Sequence, residues 1–371
     1  MLFMYLVPLI VLTSWCFSSV MVQVNTSSWI LAEIIITSLN IFTFDLMFES
    51  NSYSAKITVI ITAYNRSKFI DNAILSVINQ TIFNELYEIV VVKNFSDEVT
   101  DALIKENNVK SIMTGDCSIG EMLVEGIQKS SGDIICFLDD DDLFHRDKLK
   151  IVHEIFTGEK EIIYYRNDLT NNQIDLDSDL DSSNEHVKFY TSRKSLLKLD
   201  YRKKINMSTI ALRKEVLIKN LNYITRITSG QDFIMFYLAL LQRGMFALDN
   251  RALTFYRRHP ESVTLDTSKN DFTRVVYSIS AIESIDMPDF IKRNIQKTRI
   301  HNQLLSYLKG EKFSNKQMLK LMLVYVKSRP STIVDFLSLL IMIGEVFFKN
   351  STRNAFLVLT DYHEKLYLPL K

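Results

Sequence analysis

Four consecutive carboxylates, Asp139, Asp140, Asp141 and Asp142, stand directly behind an apolar run in "DIICFLDDDDLF". Neighbouring like charges repel and raise one another's pKa. A strand that ends on four of them ends either in a solvated turn or against something positive. Mg²⁺ and Mn²⁺ take oxygen ligands and are usually held by one or two carboxylates together with substrate phosphates. In "SGQDF", Asp232 opens an apolar stretch, where a carboxylate taken on its own reads as a helix cap. In "FYRRHPESVT", Arg257, Arg258 and His259 follow a β-prone run. On their own they read as surface charge.

The elements that must position these groups are legible from periodicity. "ITVIITA" (57–63) reads as a fully apolar strand, and "SKFIDNAILSVINQ" places Phe69, Ile70, Ala73, Ile74, Val77 and Ile78 on one helical face. "YEIVVV" (87–92) is a second strand, Asp97 to Glu106 a short helix and "KSIMT" (110–114) a third strand. "IGEMLVEGIQKS" (119–130) is an amphipathic helix with Ile119, Met122, Leu123 and Ile127 inward, and "DIICFL" (133–138) is a fourth strand. Strand–helix alternation predicts an α/β fold with a mainly parallel sheet flanked by helices. Ligands of such sheets bind beyond the carboxyl ends of the strands, where the Asp run falls. Further on, strands are predicted at "EIIYY" (161–165), "MSTIAL" (207–212) and "ALTFYRRH" (252–259), with an acidic loop over 167–186 and a helix from near Gln231. From about 270 onward the chain reads as helical.

These segments together resemble glycosyltransferase family 2, the inverting nucleotide-sugar transferases of the GT-A fold. The resemblance runs from about Ile57 to Thr264, in the family's order and spacing. It implies a GT-A catalytic domain over 55–265, between a hydrophobic segment at 1–50 and a helical region at 266–371. It implies a divalent metal, Mn²⁺ or Mg²⁺, with Asp141 as direct ligand and Asp139 and Asp142 assisting. Asp139 and Asp140 would face the donor. "TAYNR" resembles the family's nucleotide loop, so Thr62, Ala63 and Tyr64 would line base and ribose. After the second strand the family often carries two carboxylates. This chain has "VVVKNFSDE", with Lys93 and Asn94 in their place. Asn94 can still hydrogen-bond a base edge, and Lys93 would meet a phosphate or a neighbouring carboxylate. Asp232 becomes the general base of an inverting transfer, with Gln231 where the family has Glu. Arg257, Arg258 and His259 would contact the diphosphate, or His259 the metal.

The implied partners are a nucleotide-sugar donor and a glycan or lipid-linked acceptor, with membrane contact and no nucleic acid. Two other readings compete: a non-catalytic nucleotide-sugar-binding paralogue, or a sugar-nucleotide pyrophosphorylase on a similar fold. The latter typically carries a Gly-rich, Arg-containing loop after the first strand, which "TAYNRSKF" lacks.

Composition sets the bounds. The 371 residues hold 43 basic and 43 acidic side chains, so net charge gives no reason to expect nucleic acid. Cys16, Cys117 and Cys136 match no metal or disulfide spacing. Residues 1–32 carry no charge, a stretch long enough to span a bilayer. The first basic residue, Lys56, would then place the remainder of the chain on the cytoplasmic face. A surface-packed helix, or an extension upstream of a start near Met47, are the other readings. "STIVDFLSLLIMIGEVFF" (331–348) is interrupted by Asp335 and Glu345, which favours an interfacial or packed helix.

Overall fold

Alternate residues of the central strands serve two apolar cores. Ile60, Val90, Val92, Ile135 and Phe137 face one, while Val59, Ile61, Val91, Cys136 and Leu138 face the other. A strand buried on both faces reads as a continuous apolar run, which is why these segments were legible. The computed structural model describes residues 55–173, 184–198, 206–259, 272–308 and 312–328, with isolated positions between 176 and 180 and between 338 and 346. Contacts divide the chain into Met1–Tyr53 and Ser54–Lys371. The apolar segment expected at 1–50 lies outside the described residues, as does most of 331–348.

The first half is regular. Strand β1 (Ile57–Ala63) leads to α1 (Ile70–Ile78), β2 (Tyr87–Lys93), α2 (Glu98–Glu106), β3 (Lys110–Met113), α3 (Ile119–Lys129) and β4 (Ile134–Asp139). Asp97 caps α2 by accepting the Thr100 N–H at 3.0 Å, and Ser118 and Glu121 form a capping box on α3. Strands β3, β2, β1 and β4 are parallel and adjacent in that order.

The second half folds back on them. It comprises β5 (Leu143–Phe144), α4 (Lys148–Gly158), β6 (Ile162–Thr170), β7 (Val187–Tyr190), α5 (Arg193–Lys198), β8 (Ile210–Arg213), α6 (Lys214–Ile218), α7 (Leu221–Ile224), α8 (Gln231–Leu240) and β9 (Met245–Phe255). Among the described residues the sheet continues from β4 through β8, β6 and β9 to β5, with β7 also on β9. Strand β8 is antiparallel to both neighbours, and β6 and β9 are parallel. The sheet is therefore mixed beyond β4. Helices α9 (Phe272–Ile282), α10 (Asp289–Leu308) and α11 (Asn315–Lys327) come next, and Ile279, Ile282, Ile291 and Ile295 join the first core.

Three boundaries differ from expectation. Strand β6 runs on through Thr170, into the first residues assigned to the acidic loop. The segment 207–212 opens as a 3₁₀ turn, Met207–Thr209, capped by Asn206, before β8 begins. Strand β9 starts at Met245 and ends at Phe255, leaving Tyr256–His259 irregular. Its first half was hidden by "DNR". Asp249 is buried there because Arg251 pairs with it at 2.7 Å and the Tyr165 hydroxyl donates to it at 2.9 Å. A satisfied buried ion pair breaks the hydrophobic pattern without breaking the strand.

Candidate active site

The Asp run lies at the carboxyl end of the parallel strands. Asp139 ends β4, opposite Thr62 of β1. The Asp142 N–H donates to the Asp139 carbonyl at 3.2 Å, turning the chain into β5. Leu143 and Phe144 then pair antiparallel with Phe255 and Thr254 of β9. That short pairing brings the four carboxylates to the residues just past β9, among them Arg257 and His259.

Two arginines and a histidine meet the run there. Arg66 Nε and Nη2 donate to Asp140 at 2.7 and 2.5 Å, and Nη2 also donates to Asp141 Oδ2 at 2.6 Å. His259 Nε2 faces the same Asp141 oxygen at 3.0 Å. Arg257 donates its Nε to the Asp141 carbonyl at 2.9 Å and its backbone N–H to Asp142 Oδ1 at 3.1 Å. The Arg257 guanidinium also lies over Phe69 and Phe255, 4.8 and 5.3 Å from the ring centroids. Burial opposes the Arg66 charge, but the bonds and charges of Asp140 and Asp141 outweigh it and raise its pKa. Arg258 is exposed. Of these, Arg66 was legible only as part of "TAYNR".

Behind the run stands a buried polar network that no sequence motif announces. The Ser208 hydroxyl accepts from the Asp139 N–H at 3.0 Å and donates to Asp142 Oδ2 at 2.7 Å. The Ser208 carbonyl accepts from Lys148 Nζ and from Thr254 Oγ1. Lys148 also donates to Thr254 Oγ1 at 2.9 Å, and its ammonium lies 3.7 Å from the Phe144 ring centroid. Burial lowers the Lys148 pKa to about 7, against the pull of Cys136 and Asp142. Burial and then Asp141 raise Asp142 to about 7, opposed by Ser208, Arg257 and Asn206. Asp139 is pushed well above the carboxylate range by burial, then by Asp142, Asp141, Asp140 and Asp232. Ser208 stands 66 residues along the chain from Asp142, and Thr254 stands 106 from Lys148, so no local spacing reveals them.

The predicted nucleotide loop begins at the end of β1. Thr62 and Ala63 are buried in the strand, and Tyr64 is 41% exposed, its hydroxyl donating to Asp116 just beyond β3. Asn65 adopts φ 56°, a left-handed conformation that Asn tolerates. Its N–H donates to Asn94 Oδ1 at 2.8 Å and Asn94 Nδ2 returns a bond to Asn65 Oδ1 at 2.8 Å. The ends of β1 and β2 are thereby tied together. Of the two partners open to Lys93, the structure gives the carboxylate. Lys93 is buried, its ammonium 2.7 Å from Asp101 on α2 and 2.6 Å from the Phe95 carbonyl.

Asp232 lies in the first turn of α8, near enough to Asp139 to raise its pKa. The N-cap is Gly230, whose φ of 71° suits glycine, and no side chain caps that end. Asp232 Oδ1 accepts from the Phe233 N–H at 2.9 Å. Burial raises its pKa to about 7, against that bond, a value suited to a base working near neutrality.

Among the described residues no three His, Cys, Asp or Glu side chains form a ready-made metal cage. The donor set nevertheless fits a cation that brings phosphate oxygens with it. Asp141 Oδ2 and His259 Nε2 converge, and a divalent charge would reverse the upward shifts of Asp139 and Asp142. Both Asp142 oxygens already accept bonds, from Ser208 and Arg257, which suits it to orienting the run.

Residues 58–221 match the sequence profile of glycosyl transferase family 2. Over 101 residues the chain is 38% identical to an uncharacterized glycosyltransferase of Rickettsia bellii (strain RML369-C), covering 26% of this chain and 14% of that one. Over 272 residues it is 23% identical to the minor teichoic acid biosynthesis protein GgaB of Bacillus subtilis (strain 168), covering 69% and 29%. The chain thus spans about a third or less of the length of the curated relatives it matches. Among solved structures, S. aureus TarS 1–349 in complex with UDP-GlcNAc superposes with a TM-score of 0.52 at 14% identity, over 78% of this chain and 91% of that one. The mannosyltransferase PcManGT of Pyrobaculum calidifontis, in complex with GDP-Man and Mn²⁺, gives 0.50 at 13%, over 85% and 83%. These likenesses show the GT-A fold.

Proposed function

From the premise that residues 58–221 belong to glycosyltransferase family 2, we propose that the protein transfers a hexose from a nucleotide-activated donor to an acceptor hydroxyl with inversion. The observation that carries this reading is the Asp141 carboxylate at the end of β4, with one oxygen facing both Arg66 and His259. A carboxylate flanked by a guanidinium and an imidazole, beside a strand-end nucleotide loop, suits a diphosphate and its counter-ion. The solved structures with UDP-GlcNAc and with GDP-Man and Mn²⁺ support that choice of ligand class.

In this reading Thr62, Ala63, Tyr64 and Asn94 line base and ribose, and Asp139 and Asp140 border the donor. A divalent cation bound with the donor would be held by Asp141, beside Asp139, Asp142 and His259, and would supply Lewis-acid charge to the departing diphosphate. Arg257 and Arg258 neutralise the same oxygens. Asp232 removes the acceptor hydroxyl's proton as that oxygen bonds to the anomeric carbon. The bond from that carbon to the diphosphate oxygen breaks, releasing the nucleoside diphosphate. The acceptor in this reading is a glycan or a lipid-linked one, in polysaccharide or glycolipid assembly; a relative's description as a minor teichoic acid biosynthesis protein supports a polymer-building role.

The test is binding of UDP, GDP, dTDP and CDP to the full chain, each with and without Mn²⁺ or Mg²⁺, in wild type and Asp141→Ala. One nucleotide bound tightly, needing the cation and weakened on the order of 100-fold by the substitution, is the expected result, since losing even a partner of a metal ligand costs about 10–100-fold in metal affinity and Asp141 is here the ligand itself. A folded wild type that binds none of them overturns the donor site. Turnover of the matching sugar donor then separates an enzyme from a binding paralogue.

A further inference from the structure

The chain is neutral overall, with 43 basic and 43 acidic residues, yet residues 289–328 hold nine Lys or Arg against two acids. Within this stretch α11 is "NKQMLKLMLVYVK", which has no acid at all. Its inner side is accounted for. Met318 and Tyr325 are buried in a cluster with Ile300 and Leu304 of α10, and Leu321 and Met322 pack against it.

The outer side is not. Leu319, Leu323 and Val326 are 40%, 54% and 50% exposed, spaced i, i+4 and i+7. At about 100° per residue they fall within roughly 60° of one another. Lys316, Lys320 and Lys327 are also exposed and lie within about 40° on the adjoining strip. An apolar stripe bordered by lysines, on a helix already anchored by its other face, has the chemistry of an interfacial helix. We propose that α11 lays this face on an anionic lipid bilayer. The apolar side chains enter the headgroup boundary and the lysines meet lipid phosphates. Charge complementarity selects this partner, because the local excess is positive while the whole chain is neutral. The inference does not depend on the chemistry assigned to the Asp run.

The test places a reporter on the face itself: the full chain carrying Leu323→Trp, with Trp15→Phe and Trp29→Phe to remove the native indoles. Vesicles are phosphatidylcholine alone or mixed with phosphatidylglycerol. Emission is expected to shift to the blue, and to be quenched by acyl-brominated lipid, with the anionic vesicles only. Lys316→Gln, Lys320→Gln and Lys327→Gln together should weaken partition on the order of 100-fold, about fivefold per lysine. Unchanged emission with anionic vesicles overturns the proposal, as does an equal response to phosphatidylcholine alone. A shift that tracks protein concentration without lipid also overturns it, since a second copy would then be the occupant. The substituted positions of α11 are solvent-facing, and an unchanged melting temperature checks that each variant is folded.

Discussion

Arg66 Nη2 stands 2.6 Å from Asp141 Oδ2, the oxygen that His259 Nε2 also faces at 3.0 Å. A side chain just past the end of β1 supplies charge-assisted bonds to two of the four adjacent carboxylates, Asp140 and Asp141. Arg66→Met should therefore destabilise the protein by about 1–3 kcal/mol without divalent cations, because buried carboxylates lose charge-assisted bonds. Adding Mn²⁺ should narrow the gap by supplying the missing charge. Urea unfolding with and without Mn²⁺ measures both. A deficit that Mn²⁺ leaves untouched would mean that the cation does not share Asp141 with Arg66.

Asp232→Asn should lower kcat by about 10²–10⁴-fold, the usual contribution of a general base, and leave nucleotide affinity near wild type. The amide keeps an acceptor for the Phe233 N–H. The pH dependence comes from the same group. Its pKa is raised to about 7 by burial, and only the deprotonated form accepts a proton. Activity should rise through a limb centred near pH 7 and fall below it, and the limb should vanish in the variant. Steady-state rates across that limb read this, and a limb that survives in Asp232→Asn assigns it to another group.

Ser208→Ala removes the hydroxyl that bridges the Asp139 N–H and the Asp142 carboxylate. Both groups are left short of a partner in a buried setting, which costs about 1–3 kcal/mol. Cation-dependent nucleotide binding should weaken by about 10–100-fold, as for other residues that orient metal ligands. Calorimetric titration with nucleotide and Mn²⁺ measures it. Lost stability with unchanged binding would leave Ser208 a structural residue only.

Lys93→Met separates structure from donor recognition. The ammonium is committed to Asp101 and the Phe95 carbonyl, so the substitution should cost about 1–2 kcal/mol of stability, limited because Asp101 remains half in water. Nucleotide affinity should stay near wild type. A large loss of affinity at unchanged stability would return Lys93 to the diphosphate.

The sequence by itself determined the parallel core. Strands β1, β2 and β4 are buried on both faces, so burial leaves an unbroken apolar signal in each, and α1 and α3 show the helical period of elements buried on one side. The Asp run at a strand end, Asp232 at a helix start and Arg257 and His259 behind a strand were visible for the same local reason. What the tertiary structure decided was which of these groups meet. Arg66 reaches the run because β1 lies beside β4, and Arg257 and His259 reach it because the two residues of β5 pair with the end of β9. Ser208, Lys148 and Thr254 converge behind it from three separate elements. Hydrogen bonds and ion pairs across such distances depend on strand order and register, which leave no periodic trace in the chain. The choice of Lys93 between a phosphate and a carboxylate was open in the sequence for that reason, and it closed only when α2 placed Asp101 2.7 Å from its ammonium.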